Sequence, residues 1–66
     1  MNNTLESSRK QRGYTQEALS QLSGVSRATI VAIENNKEVV VLTSTLEALA
    51  AALDCEVRDI FFTSSA

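Results

Sequence analysis

The stretch TQEALSQLSGVSRATIVAIEN, Thr15 to Asn35, decides the fold. It contains two short amphipathic patterns separated by Ser23-Gly24-Val25-Ser26. Thr15 is a good N-cap for the first, because its hydroxyl can accept from a backbone N–H that lacks an intrahelical partner. Ala18, Leu19 and Leu22 recur at helical spacing and predict the inward side of that helix. Gly24 ends it. Ser26 caps the second helix, with Ile30 and Ile33 as inward residues. Asn35-Asn36 forms the exit, since asparagine tolerates left-handed geometry. Two such helices pack at a steep angle only if several conditions hold together. Leu19, Val25, Ile30 and Ile33 must face the core between them. Ser20 must be small where the second helix crosses it, and Gly24 must permit a sharp turn. All six positions comply.

The flanks extend the pattern. Asn3 precedes a helical segment, with Glu6 three residues on as a capping-box partner. That segment runs through Arg9-Lys10-Gln11-Arg12, at the negative end of its dipole, to Gly13, a left-handed stop. Residues 37–42 (KEVVVL) are extended by composition, a loop or short strand. Ser44-Thr45-Leu46-Glu47 is a second capping box opening a fourth helix, in which Leu46, Leu49, Ala50 and Leu53 recur at helical spacing. A fifth helix, about Glu56 to Phe62, would bury Val57, Ile60 and Phe61. The expected fold is all-α: one domain over residues 1–66, a compact bundle of five short helices at about 3–12, 16–23, 27–35, 44–53 and 56–62.

Composition narrows the function. A chain of 66 residues at 44% apolar content folds as one small domain that often leans on a partner subunit. The single cysteine, Cys55, cannot form an internal disulfide, and without histidine there is no Cys/His metal set. Its plain reading is a small buried hydrophobe; the alternative is a redox sensor. No nucleophile–base pair or phosphate loop is present either, so no enzyme and no cofactor is expected. The N-terminus is polar, unlike a signal peptide, and no apolar run approaches the roughly 20 residues of a membrane span. Net charge is −2, but unevenly spread. Through residue 33, Arg9, Lys10, Arg12 and Arg27 stand against Glu6 and Glu17, a local balance of +2; beyond it, two cations face six acids. A local basic footprint, not the total, matters for a polyanion.

The Thr15–Asn35 unit meets the constraints of a helix-turn-helix. At 100° per residue, Arg27, Ala28, Val31, Ala32 and Asn35 share the face opposite Ile30 and Ile33. That face carries one cation, one amide and three small apolar groups. A plainly solvated face, or a purely electrostatic DNA binder, would carry more charge. Small apolar groups permit close approach to bases and touch thymine methyls, while arginine can take guanine O6 and N7 together. Arg27 is therefore expected to read a guanine, and Ala28, Val31 and Ala32 to prefer neighbouring thymines. The alternative is that this face packs on another protein.

Arg9, Gly13-Tyr14-Thr15-Gln16-Glu17, Gly24-Val25-Ser26, Thr29-Ile30 and Ile33-Glu34-Asn35 together make the chain resemble the phage-repressor and Cro type of helix-turn-helix regulator. Downstream, Leu46, Leu49, Ala50, Ala52-Leu53 and Asp59-Ile60-Phe61 look like that family's fourth and fifth helices, so the resemblance covers about residues 3–62. It implies a lambda-repressor-like domain whose second motif helix lies in the major groove of double-stranded DNA. It further implies that Gln16 holds a phosphate, that Ser26, Arg27, Ala28 and Thr29 begin the recognition helix, and that Arg9 and Lys37 lie on the phosphate side. Glu34, by contrast, is expected to bond nearby backbone or arginine groups.

Several positions depart from the family pattern. Ser8 stands where a leucine usually packs, and Asn36 and Asp54 stand where glycines are usual. Val39-Val40-Val41 replaces a polar loop. These valines are buried against a second subunit, pair as an edge strand, or complete a small core; with Phe62 they are the candidate dimer interface. The expected function is a sequence-specific transcriptional regulator, a homodimeric repressor on a pseudo-palindromic operator. Its expected setting is the cytoplasm of a prokaryotic cell, on the nucleoid when bound, with no membrane and no small-molecule ligand. The alternative is a protein-interaction module, such as an antitoxin or restriction-modification controller component.

Overall fold

The computed structural model describes residues 2–35 and 41–62. Among these the chain forms β1 (Asn2–Asn3), α1 (Leu5–Gln11), α2 (Gln16–Ser23), α3 (Arg27–Glu34), α4 (Thr43–Ala52), α5 (Val57–Ile60) and β2 (Phe61–Phe62). The all-α bundle of five short helices is what the sequence predicts. Every helix contributes to one core of Leu5, Leu19, Ile30, Ile33, Leu49, Ala50, Leu53 and Ile60, with Phe61 closing it from β2. Tyr14, Val25, Val41, Leu46, Ala52, Cys55 and Val57 pack around that centre, half-buried.

The ends of the chain differ from the sequence expectation. Phe61 and Phe62 do not continue α5; they are extended and pair antiparallel with Asn3 and Asn2. The backbone N–H of Thr4 donates to the Ile60 carbonyl at 2.8 Å, continuing the tie between the two termini. The first helix accordingly starts at Leu5, not at residue 3, with Thr4 as N-cap. Asn3 still serves the helix from outside it: its Oδ1 accepts from the Leu5 N–H at 3.1 Å, and its Nδ2 donates to the Ile33 carbonyl at 3.0 Å. One asparagine thus joins the start of α1 to the end of α3.

The capping box expected at Ser44–Glu47 does not form. The helix opens one residue earlier, at Thr43, with Leu42 as an N-cap that makes no side-chain bond. Ser44 then lies inside the first turn, where it cannot cap. A capping box occurs instead at Glu56–Asp59, where the Glu56 N–H donates to Asp59 Oδ2 at 3.0 Å. Asp54 adopts φ 55, the left-handed conformation expected where the family has glycine. Leu22 is the other correction: it is 58% exposed. The buried arc of α2 runs from Leu19 toward Gln16, Ser20 and Ser23, which are half-buried. Leu22 lies on the far rim of Leu19 from that arc, so helical spacing alone misplaces it.

Candidate nucleic-acid interface

The turn between α2 and α3 is built from small residues. Thr15 caps α2 by accepting from the Ala18 N–H at 3.0 Å. Gly24 ends the helix at φ 75 and its N–H donates to the Ser20 carbonyl. Ser20, the small crossing residue, also braces the turn, since its hydroxyl donates to the Val25 carbonyl at 2.6 Å. The Val25 N–H donates to Ser23 Oγ at 3.1 Å. A large side chain at either serine would lose these bonds and wedge the helices apart.

Ser26 opens α3. Its Oγ accepts from the Thr29 N–H at 3.2 Å and lies 2.8 Å from the Thr29 hydroxyl. Two hydroxyls carry two protons and one is spent between them, so one O–H remains to donate elsewhere. Ile30 and Ile33 are buried and set the rotation of α3. That rotation turns Arg27, Ala28 and Asn35 to the exterior and leaves Val31 and Ala32 half-exposed. Arg27, Ala28, Val31 and Ala32 line a shallow open hollow of about 410 Å³. Such a surface is a one-helix-wide face with a cation at one end and an amide at the other, and no acid within it.

Two of the expected site residues, Arg9 and Gln16, have hydrogen-bond partners within the chain. Arg9 is 7% exposed, and its guanidinium is spent inside the fold. Nε donates to Glu34 Oε2 at 2.8 Å, Nη2 to Glu34 Oε1 at 3.1 Å and Nη1 to the Tyr14 carbonyl at 2.7 Å. The hydrogen bonds to Glu34 raise its pKa above the ordinary guanidinium value. All three bonds stay within the fold, so the guanidinium ties α1 to the end of α3 and to the turn before α2. Gln16 is half-buried and donates from Nε2 to Glu34 Oε1 at 3.1 Å. Glu34 does bond an arginine, as its position suggested. Lys37, Val39 and Val40 lie outside the described residues. Val41 packs against the core of its own chain, and Phe62 belongs to β2.

Sequence reasoning missed Leu42, which is 66% exposed immediately after the valine run. It also missed the Asn3–Ile33 tie to α3. Neither has a local signal: the first depends on where α4 starts, the second on a contact across 30 residues.

A two-helix unit with a glycine turn, and an outward face on its second helix whose one charge is Arg27, defines a helix-turn-helix DNA-binding protein. The chain belongs to the helix-turn-helix family, whose model matches residues 5–60. Among solved structures it is similar to the restriction-modification controller protein C.AhdI from Aeromonas hydrophila. Identity is 37%, the TM-score is 0.77, and the match covers 86% of this chain and 85% of that one. No curated protein matches the chain. Fold, family and neighbour agree: this is a DNA-binding transcriptional regulator. No helix among the described residues is long and apolar enough to cross a membrane.

Proposed function

We propose that the protein is a homodimeric repressor that reads a pseudo-palindromic operator by placing α3 in the major groove. The observation that carries this is the outward face of α3. It is open, small and free of acids, with Arg27 and Ala28 exposed at its N-terminal end. Recognition helices of this motif contact base edges with their N-terminal residues. Arg27 takes guanine O6 and N7; Ala28, Val31 and Ala32 lie against thymine methyls; Asn35 reaches the groove edge. The spare O–H of the Ser26–Thr29 pair and the amide of Gln16 hold phosphates. The family resemblance adds Lys37 as a further phosphate-side cation. A regulator of this kind works in the prokaryotic cytoplasm, on the nucleoid, and needs no catalytic group.

A homodimer follows from operator symmetry, since half-sites for this motif lie about 34 Å apart and a two-fold protein matches them. Leu42 supports it, as an exposed large apolar side chain that follows the valine run in sequence. The likeness to a restriction-modification controller supports a narrower reading, control of restriction-modification genes. Such genes beside the coding sequence would favour it; a toxin gene there would favour an antitoxin instead.

The test is base preference. Wild type and Arg27→Ala are each carried through selection from a random duplex pool. The proposal expects the variant to lose preference at one guanine per half-site, worth about 1–3 kcal/mol, and to keep preference elsewhere. Uniformly weaker binding with an unchanged profile would make Arg27 a phosphate contact and remove the assignment.

A further inference from the structure

We propose that Glu34 is a positioning residue for DNA: through one carboxylate oxygen it presets the Gln16 amide for its phosphate. This rests on the DNA-binding reading above. Glu34 ends α3, and its side chain is only 2% exposed. A buried carboxylate at a helix C-terminus is opposed by both desolvation and the helix dipole, so it persists only with strong partners. Arg9 supplies one from α1, with two charge-assisted bonds. Those two bonds are enough for a purely structural pair. Yet Oε1 also accepts from Gln16 Nε2, at the first residue of α2.

That third bond fixes an orientation. An ionised carboxylate only accepts, so the Gln16 amide must turn its NH2 group inward to Glu34. Its remaining N–H and its carbonyl oxygen are thereby set in the plane that this bond defines. A free glutamine at the half-exposed rim of α2 would sample many rotamers and lose them on binding. Here that ordering is done in the free protein, which is how preorganisation raises affinity. Arg9 acts one step further back. Its bonds to Glu34 and the Tyr14 carbonyl lock the carboxylate to the turn immediately before Thr15 and Gln16. The end of the recognition helix and the start of the helix that crosses the backbone are thus held by one group.

A binding cycle tests this, using anisotropy on a selected duplex with the full chain. Gln16→Ala is expected to weaken binding about tenfold, the scale of one hydrogen bond to a charged group. Glu34→Gln should weaken binding about fivefold in the wild-type background and cause no further loss in the Gln16→Ala background. Equal losses in both backgrounds would make Glu34 a structural staple and overturn the proposal. Should Glu34→Gln fail to fold, nitrogen-15 relaxation of the wild-type Gln16 side-chain amide decides. Order near the rigid-backbone value of about 0.85 supports the preset; a value below about 0.6 refutes it. Wild type that binds no selected duplex would sink the DNA reading itself, whereas tight binding with an uncoupled cycle sinks only the positioning role.

Discussion

Gly24 permits a prediction whose sign depends on the chirality of one methyl group. Its φ is 75, and a Cβ built there meets no heavy atom within 4 Å. The cost of Gly24→Ala is therefore not steric. It is the intrinsic penalty for an L-residue in the left-handed region, about 1–2 kcal/mol. Against it stands the smaller entropy of the unfolded alanine chain, worth about 0.4–1 kcal/mol. The net expectation is a loss of about 1 kcal/mol. For a domain of this size that lowers Tm by roughly 4–8 °C per kcal/mol. Replacing Gly24 by D-alanine removes the penalty and keeps the entropy term, so it should stabilise by about 0.4–1 kcal/mol. A chain of 66 residues is within reach of chemical synthesis. Thermal and urea unfolding of the three proteins, followed by circular dichroism, give the differences. Two results would refute the reasoning: D-alanine no more stable than L-alanine, or a loss above about 3 kcal/mol for L-alanine, which would mean that space around the turn is closed.

Three further perturbations probe separate parts of the molecule. Ser20→Ala removes the donor to the Val25 carbonyl and should cost about 1–2 kcal/mol in urea unfolding, since that half-buried carbonyl loses its partner; a variant as stable as wild type would show that the bond contributes nothing. For the proposed homodimer, Leu42→Lys should leave the fold intact and lower self-association in sedimentation, and unchanged association would remove Leu42 from the proposed interface. Burial, then the nearby Asp59, push the Cys55 thiol up. In the unfolded chain the thiol ionises first, so this group's contribution is complete below the ordinary thiol pKa of about 8.5 and is lost as pH rises through the higher folded value. Wild type should therefore lose more stability than Cys55→Ala between pH 8 and 10, and native Cys55 should alkylate slowly at pH 8; rapid labelling would contradict a protonated, packed thiol.

The centre of the fold was legible because its signals are local. Thr15 and Ser26 cap the helices they precede, Gly24 turns left-handed, and Leu19, Ile30 and Ile33 are buried at the expected spacing. The outward set on α3 followed from the same periodicity. What was not legible depends on partners far along the chain. Phe61 and Phe62 are extended because Asn2 and Asn3, from the opposite end, are there to pair with them. Arg9 matches a phosphate-side position by motif, but Glu34, 25 residues on, draws its guanidinium inward. Ser44–Glu47 has the form of a capping box, yet α4 opens one residue too early to use it. Leu22 shows the limit of spacing in an eight-residue helix, where half-buried serines shift the inward arc.

The central claim is that the outward face of α3 reads DNA sequence. Its most direct test is fluorescence anisotropy of the wild-type chain on a selected duplex and on an unselected one, each at several salt concentrations. A palindromic selected site should be bound about 10³-fold or more tighter than the unselected duplex, with log affinity falling linearly in log salt for both. Equal, feeble binding to both duplexes at low salt would contradict the claim and turn the acid-free face of α3 toward a protein partner.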